Sequence, residues 1–177
     1  ADRKALVVAM VRGAFEFQGQ KCSAASRAYI PESMWPEVKE RMENMMKGIK
    51  MGPPEDFTNF FNAVIDEVSF DKLAGFIDRA KKDEDAEVII GGGYDKTVGF
   101  FIEPTVILTT NPKYITMEEE LFGPVLTIYV YKDDKIPETV DILNETSMYA
   151  LTGAIFSQDR YSIDCLTEKL SNCAGNF

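Results

Sequence analysis

The sequence predicts an α/β fold: an open, largely parallel sheet with helices on both faces. Apolar residues recur at helical spacing in several stretches, short β-branched and aromatic runs lie between them, and the two kinds of segment alternate along 177 residues. That alternation marks strands joined by crossover helices, and the length suits a single domain with a core of its own.

Residues 5–17 carry the unbroken run Ala5-Leu6-Val7-Val8-Ala9-Met10-Val11, apolar on every side, which predicts a buried helix. Residues 27–30 read as a short strand. Trp35, Val38, Met42, Met45 and Ile49 then follow at steps of three and four with charges between, an amphipathic helix whose Met42, Met45 and Met46 are core or interface filler. Ser69 is a plausible N-cap for another helix with Phe70, Leu73, Ile77 and Ala80 inward and Asp78–Lys82 as an i, i+4 pair. Residues 88–90, 100–108 and 124–131 are strand candidates. A helix near Pro137 places Val140 and Leu143 inward, another after Asp159 places Ile163, Leu166 and Leu170 inward, and residues 151–156 between them read as a strand. Residues 174–177 look like the start of a strand or a strand-end loop. Both ends are expected to be cut from a longer chain.

Nineteen Lys and Arg against 29 Asp and Glu leave a formal charge of -10, which repels phosphate backbones and anionic membranes, so nucleic acid is not an expected partner. No apolar run approaches the ~20 residues that span a bilayer. The absence of His removes histidine general bases and most zinc sites, and no metal site is expected. Cys22, Cys165 and Cys173 form no C-x-x-C pair, so a reducing compartment fits better than a disulfide framework, and the sequon at Asn144 then has no glycosylating machinery to meet.

Two stretches could carry chemistry. In Gly19-Gln20-Lys21-Cys22-Ser23-Ala24 a cysteine follows an apolar helix beside a cation, amides and a hydroxyl. A neighbouring cation or a ring of N–H donors favours the reactive thiolate, although free cysteines are also among the most buried residues, so nucleophile and structural thiol both remain open. In Glu118-Glu119-Glu120-Leu121-Phe122-Gly123-Pro124-Val125 three acids precede an aromatic and a Gly-Pro corner. This is either a solvated turn or a carboxylate and ring suited to a ribose and its base. Gly91-Gly92-Gly93 fails the G-x-G-x-x-G dinucleotide fingerprint, whose third glycine would fall at Lys96, and reads as a tight connection between strands. Cys165 and Cys173 lack reactive neighbours and read as structural.

The two stretches together, in this order and about a hundred residues apart, resemble the active-site cysteine motif and the E-E-x-F-G-P-V motif of the aldehyde dehydrogenase superfamily. Residues 61–66 and 151–159 further resemble its branch that oxidises glutamate semialdehyde, the 1-pyrroline-5-carboxylate dehydrogenases of proline catabolism. The resemblance covers essentially the whole chain. It implies that Cys22 attacks the aldehyde carbon, that Glu120 and Phe122 bind NAD at its ribose and nicotinamide, and that the Cys22 N–H forms half of an oxyanion site. It also implies that Lys21 and Ser23 contact a carboxylated aldehyde substrate. By the same resemblance the parent enzyme is a homo-oligomer, in the mitochondrial matrix of a eukaryote or the cytoplasm of a bacterium. Residues 1–177 then form a single nucleophile-bearing catalytic domain without the cofactor-binding domain, expected to be inactive alone. The alternatives are a folded binding or assembly module whose thiol is idle and, last, a cysteine hydrolase, which lacks the usual histidine.

Overall fold

In the computed structural model, which describes residues 1–175, helix α1 (Arg3–Phe15) begins where the Asp2 carboxylate accepts the Lys4 and Ala5 N–H groups at 2.8 and 3.0 Å. Two donors that a helix start leaves without partners are thereby satisfied. Leu6, Val7, Met10, Val11, Ala14 and Phe15 are buried along one stripe. The expectation of burial all round is corrected here: Val8 is 39% exposed, because an all-apolar run cannot tell which face has a neighbour. The helix also stops at Phe15, short of Phe17, because Phe17 and Gln18 take left-handed backbone angles that no α-helix continues.

The sheet contains β1 (Arg27–Pro31), β2 (Ala86–Ile90), β5 (Thr105–Thr109) and β6 (Val125–Tyr131), in the spatial order β1-β6-β5-β2. β1 and β5 each run parallel to β6, and β2 is antiparallel to β5, so the sheet is mixed but mostly parallel, as the sequence predicts. Strand alternation sends Val106, Leu126 and Ile128 to one face, where α1 and α2 (Trp35–Met46) cover them. Ile107 and Val125 go to the other, against Phe70, Leu73 and Ile77 of α3 (Glu67–Ala80). A β-branched run buried on both faces is the physical signature of such a sheet.

Several local readings are corrected. Helix α3 is capped by Asp66, whose side chain accepts the Ser69 N–H at 2.8 Å; Ser69 itself lies inside the first turn, because a carboxylate three residues upstream already takes its N–H. Asp78 pairs at 3.8 Å with Lys81, whose Nζ also donates to the Gly92 carbonyl at 2.7 Å, and not with Lys82. Residues 100–108 do not form one strand: Pro104 separates β4 (Phe101–Ile102), which pairs with β3 (Tyr94–Asp95), from β5. Gly91 and Gly92, at φ +68° and +88°, make the tight turn after β2, and a side chain on Gly91 would strike the Pro104 carbonyl.

Short helix α4 (Ile115–Glu118) precedes β6, and α5 (Ile136–Glu145) and α6 (Arg160–Lys169) follow it. Val140, Leu170 and Cys173 form a small cluster of their own. Residues 151–156 form no strand and pair with none among the described residues, and Leu151 is 55% and Phe156 43% exposed. The sequence-predicted element at 174–177 falls partly outside the described residues.

Candidate active site

Cys22 owes its place to three left-handed residues. Phe17, Gln18 and Gly19, at φ +55°, +58° and +64°, turn the chain sharply off the end of α1, and only the glycine adopts that conformation without strain. The return path is pinned at both sides of the cysteine. Ala24 N–H donates to the Lys21 carbonyl at 3.0 Å, and Ala25 N–H donates back to Gly13 of α1 at 2.9 Å. Gln20 adds a tie across the fold, its Oε1 accepting the Ile65 N–H at 2.9 Å. Cys22 itself is exposed, whereas Cys165 is half-buried and Cys173 buried.

Sheet topology brings the second motif to the same place. β1 and β6 are adjacent and parallel with Arg27 opposite Thr127, so the loops that enter them lie at the same edge of the sheet. One loop carries Cys22 and the other carries Glu120 and Phe122. Leu121 is buried, and Phe122, at φ +56°, turns back out and stays 44% exposed. Glu120 is half-buried, and its carboxylate makes no hydrogen bond or ion pair to another side chain among the described residues.

Cys22, Ser23, Glu119, Glu120 and Phe122 line one cleft of about 730 Å³. Residues 147–154, Arg27 and Tyr29 line it as well. Of the residues singled out from the sequence, the cleft thus gathers Cys22, Ser23, Glu120 and Phe122. Lys21 is not among the lining residues: its Nζ lies 3.4 Å from Glu16, which also takes Arg12 at 2.7 Å. The hydrogen bond from Arg12, with Lys21 adding to it, holds the Glu16 carboxyl below the usual range. Sequence reasoning missed Arg27 and Ser147. A charge opening an apolar strand was the only available hint of the first, and nothing marked the second.

One cleft thus holds a half-buried carboxylate with no side-chain partner among the described residues, an exposed ring and an exposed thiol. The chain belongs to the aldehyde dehydrogenase family, whose profile matches residues 1–176. It is 57% identical over 167 residues to the mitochondrial delta-1-pyrroline-5-carboxylate dehydrogenase of Dictyostelium discoideum, across 94% of this chain and 30% of that protein. It is 45% identical over 178 residues to the human protein of the same name, across 100% of this chain and 32% of that one. Among solved structures it resembles delta-pyrroline-5-carboxylate dehydrogenase from Mycobacterium tuberculosis bound with NAD, with a TM-score of 0.92 and 38% identity over 100% of this chain and 32% of the other. The chain therefore spans about a third of the length of the relatives it matches.

Proposed function

We propose that this chain is the nucleophile-bearing part of an NAD-dependent dehydrogenase that oxidises glutamate semialdehyde, the open form of 1-pyrroline-5-carboxylate, to glutamate. The observation that carries the reading is the meeting of Cys22, Glu120 and Phe122 in one cleft. The names of its relatives, and NAD in the mycobacterial structure, support the substrate and the cofactor.

In this mechanism the Cys22 thiolate attacks the aldehyde carbon, and the developing oxyanion is met by the Cys22 backbone N–H, half of an oxyanion site. NAD, when bound, supplies the hydride acceptor. The cleft fits its nicotinamide-ribose end: the Glu120 carboxylate, without a side-chain partner among the described residues, can accept from ribose hydroxyls, and the Phe122 ring offers a flat apolar surface for the nicotinamide. Loss of hydride turns the Cys22 adduct into a thioester, which water hydrolyses, freeing the thiol. Ser23 lies in the cleft and can donate to a substrate carboxylate. Lys21, whose Nζ lies 3.4 Å from Glu16, would reach that carboxylate on leaving Glu16.

By the same reading the protein works in the mitochondrial matrix if its source is a eukaryote, as the names of its eukaryotic relatives support. In a bacterium it works in the cytoplasm. The experiment is NADH formation from glutamate semialdehyde by the full-length gene product. The wild type is expected to turn over and Cys22→Ala is not, and these 177 residues alone are expected to yield no NADH. A Cys22→Ala protein as active as the wild type defeats the reading.

A further inference from the structure

Helix α4 is a single turn, too short to satisfy its own end, and the carbonyls of its last residues need partners from elsewhere. Two side chains take them. Arg27, at the start of β1, donates from Nη1 to the Met117 carbonyl at 3.1 Å. Ser147, two residues beyond α5, donates from Oγ to the Glu118 carbonyl at 2.6 Å. These carbonyls stand directly before Glu119 and Glu120. A cation is also the favoured charge at the negative end of a helix.

Both side chains belong to the cleft itself. Arg27 comes from the strand that follows Cys22, and Ser147 from the segment after α5, where its hydroxyl also accepts the Tyr149 N–H at 3.3 Å. One hydroxyl thus ties the segment that carries Glu120 to the segment 147–149.

We propose that Arg27 and Ser147 are positioning residues: by gripping the carbonyls of Met117 and Glu118 they fix where the Glu120 carboxylate stands in the cleft that Cys22 lines. The inference rests on the reading of Glu120 as the group that holds the NAD ribose.

The test is NAD binding by calorimetry, with steady-state kinetics and thermal midpoints, on the full-length gene product and its Ser147→Ala, Ser147→Thr and Arg27→Met variants. Ser147→Ala and Arg27→Met are expected to raise Kd and KM for NAD by about tenfold, the upper range for one hydrogen bond. kcat at saturating NAD should stay within about twofold, the pattern of lost binding common to ground and transition states. Ser147→Thr keeps the hydroxyl and should restore the wild-type KM. A Ser147→Ala protein that binds NAD as the wild type does, or one whose thermal midpoint and kcat fall while KM stays put, overturns the positioning role alone. A wild type that binds no NAD overturns it together with the proposed function.

Discussion

Gly19 and Gly123 meet backbone to backbone: a methyl group on Gly19 would run into the Gly123 carbonyl oxygen and lie 2.7 Å from that of Ala14. This contact locks the loop that carries Cys22 against the loop that carries Glu120 and Phe122. Gly19 also has φ +64°, so a substitution there is strained twice over. Gly19→Ala is therefore expected to lower the stability of the chain by roughly 2 kcal/mol or more. Gly123→Ala meets the fully buried Leu73 side chain instead, an overpacking cost of about 1–3 kcal/mol, and without the strain of a left-handed φ it should cost less. Urea unfolding of the two variants measures the difference, and equal losses would contradict the backbone contact.

The cap of α3 separates two readings of the same turn. Asp66 accepts the Ser69 N–H, and the Ser69 hydroxyl is not the capping group. Asp66→Ala should cost about 1 kcal/mol, while Ser69→Ala should leave stability within a few tenths. The reverse order in chemical denaturation would restore Ser69 as the cap.

What the sequence made legible follows from what periodicity encodes. The inner faces of α2 and α3 show because apolar residues at steps of three and four report local geometry, and Val38, Met42, Phe70, Leu73 and Ile77 are indeed buried. The two loop motifs could be read because their residue types are chemically rare together. Residues 152–156 alternate in exposure as a strand would, but being a strand needs a partner, which no local pattern states. The ion pair that draws Lys21 to Glu16, and the grip of Ser147 on Glu118, join residues through the fold rather than through spacing.

Cys173 gives a handle on alkaline pH. Burial pushes its thiol above the ordinary thiol value, so the folded state holds that proton more tightly than the unfolded state does. The associated stability is fully present below the unfolded thiol pKa and is lost as pH rises through the folded one. Above about pH 8.5, the ordinary thiol range, stability should decline, and Cys173→Ala should flatten that decline while lowering stability at neutral pH. Burial of Tyr29 and Tyr131 raises their phenols as well, so a further loss should remain at higher pH in the variant. At neutral pH iodoacetamide should modify exposed Cys22 well before Cys173. Equal rates measured by peptide mass spectrometry would contradict the burial assigned here.

Phe122 sets stability against function at one position. Its φ of +56° is a conformation that costs a non-glycine residue of order 1 kcal/mol, and at 44% exposure its ring gains little from the core. Glycine takes that angle without strain but has more freedom to lose on folding, and the two effects nearly offset. Phe122→Gly should therefore leave the urea midpoint almost unchanged, whereas an ordinary large-to-small change in a buried site costs about 3 kcal/mol or more. If the ring backs the nicotinamide, the same variant of the full-length gene product should lose about tenfold or more in kcat/KM for NAD, equivalent to one aromatic contact of about 1.4 kcal/mol. Alkylation of Cys22 in the absence of NAD should keep its wild-type rate, because the thiol's own loop is untouched. A variant that loses stability but keeps its NAD kinetics would show that the left-handed Phe122 serves the corner before β6 and not the cofactor.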